Sequence, residues 1–401
     1  MMTANEVYLD GALRHHIGLR RYQSGLVKDI NQLLEEADRD LALKLRERLA
    51  RMDGQFDATS ERWQKMLQWM RNERQAVIMQ LATDVDGQMK DLAPIEAKRE
   101  LALLHGSVPI EVSFIAAPPQ LLAAIVSSKP FSGHLLKDWF AKLATGDQDR
   151  ITRALQIGMS TGQTTDEIVR GIIGTKANNY ADGITAMTRR DATALVRTAT
   201  NHVSNAARDL VWQENSEVMT AKVWVSTLDG RTSAGCRARD GRGSPIGDHP
   251  LPAGISPLVP AGISPPAHLN CRSLMVAFIS PDGLVGDRPY VTDTRTRQKR
   301  EIDFRAIAKA ENKTVAQVRN EWKAKNIGQL PANTNYGDFL RRQDPAFQDE
   351  VLGKTKAKLF REGKLPIDKF VDRGGNELTL KQLAKLQPAA FREAGLDPSK
   401  F

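Results

Sequence analysis

The sequence predicts a mainly α-helical protein with a small α+β domain near its centre. Through the first ~100 residues, apolar side chains recur at intervals of three and four, the period of an amphipathic helix. From Val218 to Ser226 the chain alternates as a β-strand does, and Leu274 to Ile279 is a second strand candidate. Between Arg242 and Pro266, glycine and proline are too frequent for a helix. We therefore expect a long N-terminal helical arm, a helical middle, a short-strand cassette with a Gly/Pro-rich loop, and a helical C-terminal tail.

The N-terminal arm, residues 1–130, comprises two amphipathic stretches with charged opposite faces. The first stretch has an apolar stripe at Leu26, Ile30, Leu33, Leu34, Ala37, Leu41 and Leu45. The second, from about Ser60 to Leu103, has its stripe at Trp63, Leu67, Met70, Val77, Ile78 and Leu81. Asp53-Gly54 marks the break between them, and Val108 to Ser113 is a short extended segment. This pattern is typical of a helical hairpin.

The middle of the chain, residues 131–286, is expected to form the small α+β domain. Thr164 and Glu167 have the spacing of a capping box, which predicts the start of a helix. Another helix runs from about Arg190 to Asn215, with an inner face formed by Ala194, Leu195, Thr198, Val203, Ala206, Leu210 and Val211. In the loop that follows, the hexapeptide Pro252–Pro257 recurs as Pro260–Pro265. Such an added repeat is tolerated in a surface loop because extra loop length costs little.

The C-terminal region, residues 287–401, returns to helices and carries most of the net positive charge. Thr314 to Gln317 predicts another helix start. The region contains 24 Lys and Arg against 16 Asp and Glu, and the whole chain has a net charge of +9. Lys354, Lys356 and Lys358 are the candidate DNA-binding residues, acting by neutralising phosphates. The alternative is a solvated surface, because lysines spaced by two spread around a helix rather than forming one stripe.

The composition narrows the class of protein. Apolar residues make up 41% of the chain, which is enough for a real core. The sequence has no run of about 18 apolar residues and no signal peptide, so we expect a soluble protein made in the cytoplasm. Two cysteines are too few for a disulfide framework.

Both cysteines lie in the cassette, together with two of the seven histidines. Cys236, His268 and Cys271 offer sulfur and imidazole ligands that zinc accepts in tetrahedral geometry, and His249 could complete the set. A usual zinc knuckle would place a further cysteine near position 233, where this chain has serine. The alternatives are a disulfide formed outside the cell, or buried and inert thiols.

Two catalytic hypotheses also concern the cassette. The first is a metal-dependent nuclease of the HNH type, because Asp248-His249 and Pro252 match its opening motif. That chemistry needs a downstream Asn and a second His, and only Asn270 and His268 follow, in the wrong order and too close. The second is a nucleophilic thiol paired with a histidine, for which the spacing adds no support. We expect no catalytic residue and no enzymatic activity.

The order of motifs in the cassette indicates a protein family more specifically than any single motif does. A strand bearing Trp224 is followed by Asp229, Arg231 and Thr232, then Cys236, then Asp240 and Gly241, and finally Pro266, His268, Cys271 and Arg272. This order resembles the phage Mu F-like head morphogenesis family (also SPP1-type), the minor capsid proteins of tailed bacteriophages. The helix with Val196–Thr198 and Asn205 fits the same domain. The repeated loop departs from the family pattern by lengthening the spacer that contains His249.

The resemblance implies a structural role in the virion. Members of the family are low-copy head proteins at the portal vertex that act in head assembly, and in some phages in DNA packaging or ejection. We therefore expect the portal protein as a partner, together with coat or scaffold proteins and double-stranded DNA bound non-specifically, and no membrane. Assembly would take place in the host cytoplasm. We expect no cofactor, with a structural zinc as the alternative.

The residue types also predict one internal contact. Asp229 falls where a strand ends, and Arg272 follows the Pro265-Pro266 turn. We expect the two side chains to pair and to hold the strands of the cassette together.

Overall fold

The structure is a computed structural model of the chain, and it describes residues 3–52, 57–108, 113–278 and 286–401. The expected break at Asp53-Gly54, residues 109–112 of the extended segment, and Ile279 at the end of the second strand lie outside the described residues. Elsewhere helices dominate, and the strands form two small sheets. The predicted fold class is confirmed.

Two helices of 47 residues each form the N-terminal region, α1 (Ala4–Ala50) and α2 (Glu61–Ser107). Each begins at a hydroxyl cap: Thr3 accepts from the backbone N–H of Glu6, and Ser60 accepts from that of Trp63. Most of the predicted apolar stripe is buried where these helices meet each other and the helices that follow. The N-terminal helices therefore lie along the rest of the protein.

Four further helices complete the helical half of the protein: α3 (Pro119–Ser128), α4 (Leu136–Ser160), α5 (Thr165–Ile173) and α6 (Thr185–Glu214). The predicted capping box of α5 is present, because Thr164 Oγ1 accepts from Glu167 N and the Glu167 carboxylate accepts from Thr164 N. Helix α6 packs against all five other helices and against the sheet that follows. It is therefore buried on most of its circumference.

Two buried ionic networks join the long helices. In the first, Arg74 of α2 donates to Asp147 of α4 through Nε (2.6 Å) and to Asp38 of α1 through Nη1 (2.9 Å). These three side chains are at most 3% exposed. Because a buried charge without a partner is costly, this network fixes α2 relative to α1 and α4.

The second network is centred on Glu100 of α2. Its carboxylate accepts from Arg208 Nε (2.8 Å) and Trp212 Nε1 (2.6 Å) of α6, and from the Tyr8 hydroxyl of α1. Glu100 and Arg208 are both almost fully buried. This carboxylate therefore connects three helices that are distant in sequence.

The cassette follows α6 and consists of β1 (Ala221–Val225), β2 (Leu228–Asp229), α7 (Ala234–Arg239), β3 (Gly243–Pro245) and β4 (Leu274–Phe278). Strand β1 is central and pairs antiparallel with β3 and β4, with Ala221 opposite Phe278 and Val225 opposite Leu274. Both predicted strands are present, as β1 and β4, although β1 begins at Ala221 rather than at Val218. The Gly/Pro-rich loop contains no helix, as predicted.

A second sheet joins the cassette to the C-terminal region. Strand β2 pairs in parallel with β5 (Asp287–Val291), which pairs antiparallel with β6 (Ile327–Pro331). Two helices, α8 (Arg297–Ala310) and α9 (Val315–Asn326), connect β5 to β6. The predicted capping box of Thr314 and Gln317 begins α9. The C-terminal region is thus joined to the cassette through the pairing of β5 with β2.

Five short helices end the chain: α10 (Tyr336–Arg341), α11 (Pro345–Leu352), α12 (Lys354–Arg361), α13 (Leu380–Leu386) and α14 (Pro388–Glu393). They enclose an apolar core that includes Phe339, Phe360 and Phe391, and Leu228 of β2 belongs to the same core. The C-terminal helices therefore pack onto the cassette.

The largest core extends from Tyr8 in α1 through α6 to Ala332 after β6. It crosses the predicted boundaries at 130 and 286, so the three regions bury one another's apolar surface. The division of the chain into three domains stays a prediction. Over the described residues, no helix combines the length and the apolar character that crossing a bilayer requires.

His202 of α6 provides a test of this packing. Its Nε2 lies 3.1 Å from the carbonyl of Lys129, and burial beside that lysine lowers the pKa of His202 from 6.5 to about 4. The unfolded chain therefore binds a proton at His202 near pH 6.5, whereas the folded chain binds it only near pH 4. The folded state accordingly loses stability as the pH falls from about 6.5 towards 4. We expect the wild type to lose about 2 kcal/mol more than His202→Gln between about pH 7 and pH 5, measured by urea unfolding at both values. Equal losses in the two proteins would contradict the assignment.

Candidate structural site: the cassette and its thiol–imidazole cluster

The predicted pairing of Asp229 with Arg272 is confirmed. Arg272 donates through Nη1 to Asp229 Oδ2 (2.5 Å) and through Nη2 to Oδ1 (2.6 Å), a bidentate arrangement. Burial alone would raise the pKa of Asp229, but the hydrogen bonds and charge of Arg272 hold it below its usual value. The Tyr336 hydroxyl donates to the Asp229 carbonyl (2.7 Å), which adds the C-terminal helices to this contact. The turn after β2 is therefore fixed from two sides.

Asp229→Ala is expected to lower the stability of the protein by roughly 3 kcal/mol, because it leaves the largely buried Arg272 without a counter-charge. The measurement is the midpoint of thermal unfolding. The matched control is Arg231→Ala, since Arg231 is about half exposed and only 3.5 Å from the same carboxylate. An unchanged midpoint for Asp229→Ala would show that the pair does not hold the cassette together.

Asp240 pairs with Arg288 of β5, a residue that the sequence analysis missed. Arg288 donates to both carboxylate oxygens of Asp240 (2.9 and 3.0 Å) and to the backbone carbonyls of Ser226 and Thr334. Asp240 also accepts from the backbone N–H of Ser226 (2.6 Å). Burial raises the pKa of Asp240, and the charge of Arg288 opposes that rise. The pair therefore joins α7, β1 and β5 inside the protein.

Polar side chains of α6 hold the backbone that enters β4. Thr198 accepts from Asn270 N (2.8 Å), Asn201 donates to the carbonyls of Cys271 (3.0 Å) and Ser273 (3.1 Å), and Asn205 accepts from Met275 N (3.0 Å). The sequence predicts Thr198 and Asn205 as part of the domain but gives no such prediction for Asn201. A row of polar residues at helical spacing on an otherwise apolar face was the signal that could have revealed it.

The remaining motif residues shape the turns. Trp224 is buried, and its Nε1 donates to Ser226 Oγ (3.0 Å). Gly241 has a φ of +78°, a conformation that favours glycine, and its N–H donates to the carbonyl of Trp224 (2.9 Å). Thr232 donates to the carbonyl of Thr227, and Pro266 is buried at the end of the loop.

Three of the four zinc-ligand candidates come together. Cys236 Sγ lies 3.7 Å from Cys271 Sγ and 3.3 Å from His268 Nε2, and the ligand atoms of all three lie within 4.8 Å of one another. The thiols are free and buried. Ser233, at the position where a zinc knuckle would have a cysteine, lies with Oγ 2.8 Å from His268 Nε2. The hydroxyl of Ser233 also caps α7 by accepting from Cys236 N.

The two thiols have different acidities. The hydrogen bond between them lowers the pKa of Cys236, because its thiolate accepts from Cys271, and a contact with His268 adds to this. The same bond, together with burial, raises the pKa of Cys271, and the Cys236 sulfur raises the pKa of His268. Cys236 is therefore the more acidic of the two thiols.

His249 does not join this cluster. Its Nε2 lies 2.6 Å from the carbonyl of Ser216, on the Gly/Pro-rich loop, and the group of metal-ligand atoms found among the described residues contains only Cys236, His268 and Cys271. Asn270 is held by its backbone to Thr198. The structure thus does not assemble the HNH arrangement, and it does not bring His249 to the other three candidate zinc ligands.

The candidate DNA-binding lysines lie on α12. Lys356 forms an ion pair with Glu377 (2.6 Å), and Lys358 lies 3.6 Å from Glu362. Lys354 is exposed. Two of the three lysines therefore lie beside acidic side chains, which agrees with the alternative of a solvated surface.

A different basic cluster lies between α1, α6 and the cassette. Burial, together with the charges of Arg272, Arg197 and Arg231, lowers the pKa of Arg20 to about 10, with Asp229 as the opposing charge. Arg20 and Arg197 are both partly buried, and neither donates a side-chain hydrogen bond within the described residues. Positive charge therefore exceeds negative charge on this face, and a phosphate or carboxylate group would be favoured there.

These features define the class of protein: a compact α+β module whose motif residues are joined in buried internal pairs beside a long helical bundle. Residues 148–276, about a third of the chain, match the family described as Phage Mu protein F like protein. This segment, from α4 to β4, therefore carries a similarity to the phage Mu F-like family, and the resemblance predicted from the motifs is confirmed. The family suggests a bacteriophage head morphogenesis protein of the virion. No curated protein and no solved structure gives a significant match.

Proposed function

We propose that this chain is a bacteriophage minor head protein that acts at the portal vertex during head assembly, with the portal protein as its partner. The observation that supports a structural rather than a catalytic role is the burial of the motif residues in mutual pairs, above all Asp229–Arg272 and Asp240–Arg288. Buried, satisfied ion pairs maintain a shape and leave few groups free for chemistry. Coat and scaffold proteins are further candidate partners.

Co-expression with the portal protein of the same phage tests this function. A complex that survives affinity purification and size-exclusion chromatography is the expected result. The control is the Asp229→Ala variant, studied at a temperature where it remains folded. Because this substitution alters the cassette and leaves the N-terminal helices unchanged, it separates the contributions of these two regions to the complex. A folded wild type that elutes apart from the portal protein would contradict the proposal.

The runner-up function is a metal-dependent nuclease. The separation of His249 from His268 argues against the HNH arrangement. Purified protein is incubated with supercoiled plasmid and Mg²⁺, Mn²⁺ or Zn²⁺. Intact plasmid is expected, whereas nicking that disappears in both His249→Ala and His268→Ala would favour the nuclease.

Non-specific contact with DNA is a second candidate function, and the arginine cluster favours it. Phosphate neutralisation by these side chains would make binding fall steeply with salt. We expect Arg20→Gln with Arg197→Gln to weaken binding to a DNA duplex of random sequence and to lower the salt slope by about 2, since each phosphate contact contributes about one unit. A triple glutamine variant of Lys354, Lys356 and Lys358 serves as the comparison. A larger loss of DNA affinity in the lysine variant would indicate that α12, rather than the arginine cluster, contacts the DNA.

A further inference from the structure

We propose that Cys236, His268 and Cys271, with Ser233 at the fourth corner, form a binding site for a thiophilic divalent cation of the Zn²⁺ class. The site goes beyond the proposed function, which assigns no metal to the chain. It is carried by the arrangement of the four side chains, which the fold brings together from α7 and from the segment before β4.

The distances fit the edges of a tetrahedral site. With Zn–S of about 2.3 Å and Zn–N of about 2.0–2.1 Å, tetrahedral angles place two sulfur ligands about 3.8 Å apart and a sulfur about 3.5 Å from a nitrogen. The observed separations are 3.7 Å for Cys236 Sγ to Cys271 Sγ and 3.3 Å for Cys236 Sγ to His268 Nε2. Small side-chain adjustments would admit the ion. A disulfide would require the two sulfurs to approach to about 2.05 Å.

The imidazole is oriented as a ligand. His268 Nδ1 lies 2.8 Å from the carbonyl of Leu269, and because a carbonyl only accepts, Nδ1 carries the proton. The lone pair of Nε2 therefore faces Cys236 and Ser233. A backbone carbonyl that fixes the tautomer in this way is the usual second shell of a metal-ligating histidine. At present the hydroxyl of Ser233 donates to that lone pair (2.8 Å), and metal binding would replace this hydrogen bond.

The segments that carry the sulfurs are held in place. Asn201 donates to the carbonyl of Cys271 (3.0 Å), and Ser226 donates to the carbonyl of Cys236 (2.9 Å). The ligand positions are thus fixed by α6 and β1 before any ion arrives, so binding costs little reorganisation. The two thiols are buried, whereas His268 is partly exposed and leaves a route of entry.

Charge also fits a divalent cation. Each thiol would release its proton on binding, and the two thiolates would neutralise the 2+ charge of the ion. Histidine and serine would bind as neutral ligands. A buried site with no net charge avoids the desolvation penalty that an unpaired ion would suffer.

The consequence is a cross-link at the base of the long loop. The metal would join α7 directly to the segment before β4, and the loop between β3 and His268, with its tandem repeat, would be closed at its base by the cross-link. The length of that loop could then vary without altering the positions of Asp229 and Arg272.

Titration of the reduced, purified full-length protein with Co²⁺, followed by displacement with Zn²⁺, tests the site. We expect one equivalent of Co²⁺ per chain, visible d–d absorption typical of tetrahedral geometry, and near-ultraviolet charge-transfer absorption from two thiolates. Zn²⁺ should abolish these bands and raise the thermal unfolding midpoint. Because this titration uses the reduced wild-type protein, its result does not depend on whether a cysteine variant folds.

Variants then identify the ligands. Cys236→Ser and Cys271→Ser should each lose stoichiometric Co²⁺ binding, and the matched control His249→Ala should retain it. Ser233→Cys should add a third thiolate and increase the charge-transfer intensity by about half, because that intensity scales with the number of thiolates. Absence of Co²⁺ and Zn²⁺ binding by the reduced wild type, or equal binding by the double variant that combines Cys236→Ser with Cys271→Ser, would overturn the proposal. Neither result would affect the test with the portal protein.

Discussion

Glu100→Ala is expected to destabilise the protein by about 3–5 kcal/mol, because it leaves the buried guanidinium of Arg208 without a counter-charge in the centre of the helical bundle. Arg208 is almost fully buried, and burial would lower its pKa, but Glu100 raises that pKa above its ordinary value. Without Glu100, the Trp212 indole N–H and the Tyr8 hydroxyl also lose their acceptor. The measurement is the free energy of unfolding from urea denaturation at neutral pH.

Two variants define what the Glu100 result means. Glu61→Ala removes a carboxylate of the same helix whose partner, Lys65, is exposed, and it should change stability by no more than about 0.5 kcal/mol. Glu100→Leu combined with Arg208→Met should recover much of the loss, because an apolar pair of similar volume no longer contains a buried charge. A loss below about 1 kcal/mol for Glu100→Ala would mean that water solvates Arg208 and that the bundle is looser than the structure indicates.

Arg288→Leu is expected to cost about 3–5 kcal/mol and to loosen the C-terminal region from the cassette. The substitution leaves Asp240 buried without its counter-charge and removes the donors to the carbonyls of Ser226 and Thr334. Arg288→Lys should recover only part of the loss, since one ammonium cannot contact both carboxylate oxygens as the guanidinium does. Urea denaturation gives the free energy, and hydrogen exchange of the β5 amides reports local loosening.

The control for Arg288 is Arg305→Ala on the exposed side of α8, which should leave both stability and exchange unchanged. If Arg288→Leu lowered stability but left exchange in β5 as slow as in the wild type, the pair would stabilise the cassette alone. The packing of Leu228 within the C-terminal core would then be what attaches that region.

The predictions that succeeded rest on local patterns. The long apolar stripes, the hydroxyl caps at Thr164 and Thr314, and the alternation from Val218 onward each act over one or two turns or a single strand, so they can be recognised in sequence. The pairing of Asp229 with Arg272 could also be predicted, because both flank strands of one cassette. The clustering of Cys236, His268 and Cys271 followed from residue types in a short stretch.

The contacts that sequence analysis missed join residues far apart in the chain. Arg288 is one of many basic residues in the C-terminal region, and nothing near it in sequence reveals that Asp240 lies opposite. Glu100 and Arg208 each look like a surface charge on a helix until both helices are packed. The DNA candidate on α12 was chosen from charge alone, and pairing of Lys356 with Glu377 shows why spacing is a weak guide to free charge.

The sequence by itself determined the helical class of the protein, the two strands of the cassette and the phage Mu F-like motif order, because periodicity, caps and motif spacing are local properties. Only the tertiary structure decided that the N-terminal helices and the C-terminal helices both pack onto the cassette. It also decided which charges are neutralised and that Ser233, rather than His249, stands beside the two thiols. These outcomes depend on which distant segments exclude water from one another, and that is set by the packing of the whole chain.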